Sequence, residues 1–246
     1  MFNDHFQNYK VYGIPKAQLI IADIPYNTGN NAFASNPQWY EGGEIENGES
    51  KLANSTFFDT DKDFRISEFL HFCSKMLKKE PKEKGQSPCM IVFCAFEQQW
   101  ELIEKAKEYG LNKYIPMSFY KNFSPQVLKA NMRVVGNTEY AIILYRDKLP
   151  KFRNNGNMVF NSLPFERDTE TERVHPTQKP IPLLERLIEV FTDVDDVVID
   201  PCAGSGSTLL ASKNLNRRAY GFEIKKDFFK LANEKVLSQS QMNLFI

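Results

Sequence analysis

The sequence predicts an α/β fold, a doubly wound and mostly parallel sheet, on three observations. Short apolar runs alternate along the chain with segments of helical periodicity. The stretch VVIDPCAGSGSTLL passes from a strand through a glycine-rich turn into a helix, a junction at which open parallel sheets let a ligand approach the backbone closely. The length of 246 residues is enough for one such domain with a full core, and no internal repeat divides it.

The elements follow in order. KAQLIIADIPY reads as a short buried strand ending in a turn. Residues 27 to 63 are rich in Asn, Gly, Ser and Glu without periodicity, a long loop insertion. Ile66, Phe69, Leu70, Cys73, Met76 and Leu77 recur at helical spacing and predict a helix over 64–79. After the polar break EPKEKGQSP, CMIVFCAF is a buried strand, and Gln98 to Tyr109 a helix stopped by Gly110. MSFYKNF and EYAIILYR are two further strands joined by a basic loop, and residues 147 to 174 are polar and weakly patterned. PIPLLERLIEVF carries Leu183, Leu184, Leu187, Ile188 and Phe191 on one helical face, with prolines at its start where they are tolerated. The glycine-rich unit and its following strand come next, then a helix from Lys226 to about Leu237 and a flexible tail over 238–246.

Composition narrows the class. Hydrophobic residues at 42% and charged residues at 25% are ordinary for a soluble protein. No apolar run approaches a membrane span and MFNDHFQNYK lacks a signal pattern, so a cytoplasmic protein with no membrane partner is expected. Cys73, Cys89, Cys94 and Cys202 are scattered and read as reduced thiols, and no metal is expected. The formal net charge of zero makes no overall case for nucleic acid. The charges are segregated, however: acidic from Glu41 to Asp63, basic from Lys113 to Arg153, which allows a basic cleft in a neutral protein.

The glycine-rich turn carries the most information. Val197 to Ile199 form its strand and Asp200 the carboxyl end. Gly204 and Gly206 permit the tight turn, and Ser207 or Thr208 is placed to start the helix. Glu223 ends the next strand about 20 residues on, where a carboxylate can accept both hydroxyls of a ribose. The turn has no lysine, which excludes a triphosphate loop. Leu209 stands where a third glycine would serve a dinucleotide pyrophosphate. A nucleoside without phosphates fits better, S-adenosyl-L-methionine above all; on these glycines alone, a plain strand-to-helix turn stays open.

With these residues in view, DPCAGSGST resembles the cofactor motif of amino-methylating DNA methyltransferases, usually DPFxGSGTT. HPTQKP at 175–180 resembles the segment that closes over the cofactor's methionine end. ADIPYNTG resembles the catalytic motif of those enzymes, usually DPPY, and SFYKNF with NTEYAIILYR is similar to their intervening strand pair. The order catalytic, HPTQKP, cofactor loop matches the circularly permuted β class.

The resemblance implies a Rossmann-like class I methyltransferase sheet with loop-rich DNA-recognition insertions, one methyltransferase domain over 1–246. It implies that Asp23 and the Ile24 carbonyl accept the two N–H groups of a target amine. Pro25 then stiffens the turn and Tyr26 stacks a base rotated out of the helix. Ile24 departs from the family's proline, but the chemistry needs only its carbonyl. His175, Thr177 and Lys179 are implied on the cofactor side with Asp200, Cys202, Gly204, Gly206, Ser207, Thr208 and Glu223; Phe222 or the Cys202 region is expected to pack on the cofactor's adenine. Asp at the head of the tetrapeptide points to adenine N6, within a restriction–modification, orphan bacterial or phage enzyme. Cytosine N4 methylation and a non-catalytic cofactor- and DNA-binding module stay open.

For DNA, residues 147–174 are the expected target-recognition segment, with Asn30, Asn31 and Trp39 of the early loop sharing base contacts. Lys121, Lys129, Arg133, Lys151 and Arg153 are candidates for phosphates. The terminal Gln241-Met242-Asn243-Leu244-Phe245 resembles the peptide by which bacterial replication proteins dock to the sliding clamp, with Gln241, Leu244 and Phe245 as anchors. A homodimer is a further expectation from the family.

Overall fold

Leu19–Asp23 (β1) is apolar on both faces up to its final carboxylate, which suits a strand covered by helices on both sides. The computed structural model of the protein describes residues 1–26, 64–122, 126–129, 134–175 and 178–238. After a 3₁₀ turn at Phe6–Tyr12 and β1, the chain forms α1 (Ile66–Met76), β2 (Cys89–Cys94), α2 (Gln98–Glu108) and β3 (Lys113–Lys121). It continues through β4 (Gln126–Lys129), β5 (Val134–Gly136), β6 (Thr138–Tyr145) and β7 (Ser162–Phe165). The last unit holds α3 (Ile181–Phe191), β8 (Val197–Asp200), α4 (Ser207–Asn214), β9 (Arg218–Gly221) and α5 (Lys226–Leu231), which runs on as a π-helical segment, Ala232–Leu237.

The main sheet has the order β7-β3-β6-β2-β1-β8-β9. β1 lies parallel to β2 (Leu19 opposite Cys89, Asp23 opposite Phe93) and to β8, and β8 parallel to β9. Among the described strands of this sheet only β6 runs against its neighbours, β2 and β3. The expected doubly wound sheet is therefore present.

Alternation along the strands divides the core in two. Ile20, Ala22, Met90 and Val92 face α1 and α2, where Phe69, Leu70, Cys73, Leu102 and Ala106 are buried. Leu19, Ile21, Ile91 and Phe93 face the other way, onto Leu184, Leu187 and Ile188 of α3 and Leu210 and Ala211 of α4. Each face removes a continuous apolar surface from water, the main driving force for this architecture.

Three elements differ from expectation. The basic loop between β3 and β6 contains the antiparallel pair β4–β5. The polar stretch 147–174 contributes β7, parallel to β3, with Phe165 as its buried residue; four residues are too few to show a period. The strand expected to end at Glu223 ends at Gly221, and beyond it Phe222 forms an isolated parallel bridge with Phe2, whose N–H donates to the Gly221 carbonyl at 2.8 Å and whose carbonyl accepts from Glu223 N–H at 3.0 Å.

Gly221 owes its identity to space. A Cβ on it would stand 2.7 Å from Leu209 Cδ1 and 2.9 Å from Ala203 Cβ, so a side chain would push α4 and its turn off the sheet. Gly221→Ala is expected to lower stability by about 1–3 kcal/mol, read as a lower denaturant midpoint at unchanged slope. An unaltered midpoint would show that Leu209 yields without cost.

Candidate active site

Asp23 and Asp200 end the adjacent parallel strands β1 and β8, so both carboxylates stand at the carboxyl edge of the sheet, where open α/β sheets form their crevice. The turn after β1 is held from two sides. Ile24 N–H donates to the Phe93 carbonyl at 3.2 Å, and its side chain is buried in the core at 2% exposure. An apolar residue at this position is thus a packing residue whatever its backbone does. Gln98, first residue of α2, donates from Nε2 to the Pro25 carbonyl at 2.8 Å and accepts from Ala95 N–H at 2.9 Å. Nothing in the sequence distinguished Gln98 from any helix-starting glutamine.

Lys179 provides the centre of charge. Its Nζ lies 2.7 Å from Asp23 Oδ2 and 3.1 Å from Glu139 Oε2, and the lysine side chain is only 8% exposed. Lys121 completes the chain of charges on Glu139 Oε1. Lys179 Nζ also sits 5.1 Å from the Phe93 ring centre and 5.7 Å from that of Tyr26. Asp23 Oδ1 and the Tyr26 hydroxyl are buried with no well-formed hydrogen bond to any group, and the phenol acts on the Asp23 carboxyl as a weak donor. Burial pushes the Asp23 carboxyl up, the Lys179 charge opposes this, and Glu139 adds to it. Burial also pushes the Tyr26 phenol well up, so it stays protonated.

Lys179, which the resemblance implied on the cofactor side, is ion-paired with Asp23 and Glu139. Glu139 was not anticipated at all. Its signal was an acid opening a strand otherwise apolar, TEYAIILY, where a lone charge needs a partner.

The glycine-rich turn takes the expected shape. Gly204 and Gly206 have φ of 48° and 77°, the left-handed region that disfavours side chains. Gly206 is the N-cap of α4, so Ser207 and Thr208 are its first helical residues, both buried. Ser207 Oγ lies 2.8 Å from Ser205 Oγ. Glu223 Oε2 accepts from Gly204 N–H at 3.0 Å and Oε1 from Lys225 N–H at 2.7 Å, which pins the carboxylate beside the turn. Asp200 Oδ1 accepts from Cys202 N–H at 2.9 Å, and burial pushes its pKa up to about 7.

His175 stands over this turn. A Cβ on Gly204 would be 3.7 Å from its ring, and the imidazole packs edge-on against Phe228 at 4.4 Å. Thr177 lies outside the described residues. Phe222 does not meet its expectation: it is 1% exposed and its ring faces Phe2, Tyr12 and Phe72, on the core side of the sheet. Cys202, half-buried at the turn, is left for that packing.

The basic candidates divide. Lys151 is buried, its ammonium 2.7 Å from Asp193 and 2.8 Å from Asp196, so it is a structural cation and not a phosphate contact. Lys121 is likewise enclosed on Glu139. Arg153 is half exposed but pairs with Asp193 at 2.8 Å, which diminishes its field toward an external anion. Lys129 falls on β4. Asn30, Asn31, Trp39, Arg133, Gln241, Leu244 and Phe245 lie outside the described residues.

The model of the N6/N4 DNA methylase family matches residues 17–234, and the chain belongs to that family. Over 69 residues it is 41% identical to the type II methyltransferase M2.DpnII of Streptococcus pneumoniae, a match covering 28% of this chain and 26% of that protein. It is 38% identical over 74 residues to the type II methyltransferase M.BglII of Bacillus subtilis, covering 30% and 21%. The matched stretches thus span about a quarter of these relatives' lengths. The fold is similar to that of the M1.HpyAVI–SAM complex (TM-score 0.65, 23% identity, 93% of this chain and 92% of that one). It is also similar to PvuII DNA methyltransferase, described as cytosine-N4-specific (TM-score 0.67, 17% identity, 95% and 84%). No described helix is long and apolar enough to cross a membrane.

Two measurements test this geometry. Lys151→Ala leaves Asp196 paired only with Lys78 and is expected to cost about 2 kcal/mol of stability. The salt dependence of DNA binding should not change with it; a shallower dependence would return Lys151 to the phosphate contacts. For His175, burial, with Lys179, Lys225 and Arg173 nearby, lowers the pKa to about 4. The ring is then neutral at pH 7, and because the unfolded chain binds its proton first, the stability it confers falls as pH drops from about 6.5 toward 4. An imidazole NMR titration should find this low midpoint; a midpoint near 6.5 would place the ring in water.

Proposed function

We propose that the chain is a DNA methyltransferase that transfers a methyl group from S-adenosylmethionine to N6 of an adenine rotated out of the duplex. The observation that carries this reading is the second oxygen of Asp23, buried and under-satisfied. Oδ2 is held by Lys179, while Oδ1 is buried without a well-formed hydrogen bond, its one neighbouring donor being the Tyr26 phenol, which bears only weakly on the carboxyl. An under-satisfied buried carboxylate oxygen is costly unless a ligand supplies a donor. An exocyclic amine does so, and the Ile24 carbonyl is the acceptor for its second N–H. Two acceptors draw the amine toward a tetrahedral nitrogen, whose lone pair is then free to react. Tyr26 offers a half-buried ring on which the base stacks.

The cofactor assignment rests on the turn between β8 and α4. Two glycines at positive φ allow close approach, Glu223 is pinned beside the turn where it would take the ribose, and His175 stands over the turn. These residues fit a nucleoside without phosphates, and two of the relatives are named as type II methyltransferases while a neighbour was solved with SAM. S-adenosylmethionine, when bound, supplies an electrophilic methyl group on its sulfonium. Gly204, Gly206 and Glu223 orient it, and Asp23, Ile24 and Tyr26 orient the amine, so that positioning yields most of the acceleration. The choice of adenine over cytosine rests on the acid at position 23, which family members of the adenine type mostly carry. Residues 147–174, where Met158 and Phe160 are strongly exposed, are proposed to read the target sequence.

Tritium transfer from labelled cofactor to DNA, followed by nucleoside analysis, tests the assignment. Labelled N6-methyladenine is expected; labelled N4-methylcytosine would replace the substrate, and no labelled base would reduce the chain to a binding module. Asp23→Ala should lower transfer at least about a hundredfold while cofactor binding persists.

A further inference from the structure

We propose that Glu139 and Lys179 are positioning residues for Asp23: Lys179 anchors one carboxylate oxygen, and Glu139 holds part of the ammonium's charge back, so that the other oxygen keeps its strength as an acceptor. The inference rests on the amine-acceptor reading of Asp23 given above, and adds to it two residues whose charged groups meet Asp23 and each other.

The geometry is asymmetric in a way that stability alone does not require. Lys179 reaches Asp23 from the segment before α3, a separation of 156 residues, and meets Glu139 on β6 with the same atom. The two carboxylates share one ammonium, and Lys121 from β3 balances Glu139 through its other oxygen. Four groups, two of each sign, are thus neutral together. A buried ion pair is weak as a source of stability, because desolvation offsets most of the attraction. A hydrocarbon pair would fill this space at lower cost. What the charged set provides is control of one oxygen: Oδ2 is fixed, and Oδ1 is left buried with no well-formed hydrogen bond, facing only the weak donor Tyr26.

The sharing decides how strong an acceptor Asp23 remains. An ammonium bonded to Asp23 alone would draw charge from the carboxylate and weaken its hold on an amine N–H. Glu139, at 3.1 Å from the same ammonium, competes for it, and its own charge pushes the Asp23 carboxyl up. Without Lys179, on the other hand, burial would leave Asp23 protonated and unable to accept through both oxygens. The other groups that face Asp23 are Tyr26 after β1, Cys94 on β2, and Asp200 and Cys202 at the end of β8. The Tyr26 phenol and the two thiols have their pKa values raised by burial and are neutral at pH 7. Asp200 is common to every variant below.

Removal of either residue therefore has opposite effects on one measurable quantity. In the full chain without cofactor, the Asp23 carboxyl is followed by carbon-13 NMR through a pH titration, its resonance assigned by its loss in Asp23→Asn. Lys179→Met is expected to raise the Asp23 midpoint by about one pH unit or more, and Glu139→Gln to lower it. Lys179→Arg, which keeps the charge, should stay closer to the original midpoint than Lys179→Met. In methyl transfer, the acid limb of the kcat profile should move the same way in each variant, with KM for DNA altered less than about twofold.

Midpoints that coincide in all variants, or that move the same way in Lys179→Met and Glu139→Gln, would overturn the proposal. If Lys179→Met does not fold, Glu139→Gln alone still decides it, because a raised or unmoved midpoint contradicts charge sharing. The two readings fail separately: opposite NMR shifts without any methyl transfer leave the charge sharing standing and remove the enzyme assignment.

Discussion

The ammonium of Lys179 ties together parts of the chain that share no local relationship. It joins the end of β1 to the second residue of β6 and to the segment that leads into α3, and it does so where water is largely excluded. A buried cation has few tolerable arrangements, since loss of either carboxylate leaves charge uncompensated. The positions of β1, β6 and the α3 entrance at the carboxyl edge are therefore fixed jointly. The turn Ile24–Tyr26 is tied in turn to β2 and α2 by the Phe93 carbonyl and by Gln98. A site assembled from loop ends thereby gains the rigidity of the sheet beneath it.

The two ends of the crevice are built on different principles. At β8 and α4 the backbone itself forms the surface: glycines at positive φ, a carboxylate pinned by two N–H groups, and a buried Asp200 that closes on Cys202. At β1 side chains form it, in a chain of alternating charges with one under-satisfied oxygen at its tip. The first offers a ligand room and close backbone approach; the second offers a directed acceptor. The family to which the chain belongs, the N6/N4 DNA methylases, is consistent with a crevice that contains both.

The fate of the basic residues shows how little a charge run establishes. Lys151 lies in a segment that reads as a solvated basic stretch, yet it is enclosed by Asp193 and Asp196, acids that sit far along the chain beyond α3. Lys121 looks equally free in MSFYKNF and is taken up by Glu139 across the β3–β6 pair. A lysine can reach an anion on DNA or one on its own protein with the same chemistry. Only the fold says which is within a few ångströms.

Local periodicity and turn residues suffice for the doubly wound sheet, the helices on its two faces and the two strand-ending carboxylates. Runs such as IIAD and MIVF bury both faces wherever they lie, and glycines at 204 and 206 mark a turn that other residues strain to make. The same locality explains why β7 and the β4–β5 pair were not legible: a strand of three or four residues has no period, and only its partner makes it one. Tertiary structure alone decided the position of Phe222 in the core, the requirement for Gly221 under Leu209, and the meeting of Lys179 with Asp23 and Glu139. Electrostatic partners are chosen by distance in space, which chain order does not encode. Hence the motif residues were recognisable one by one, but the charge that governs Asp23 was not.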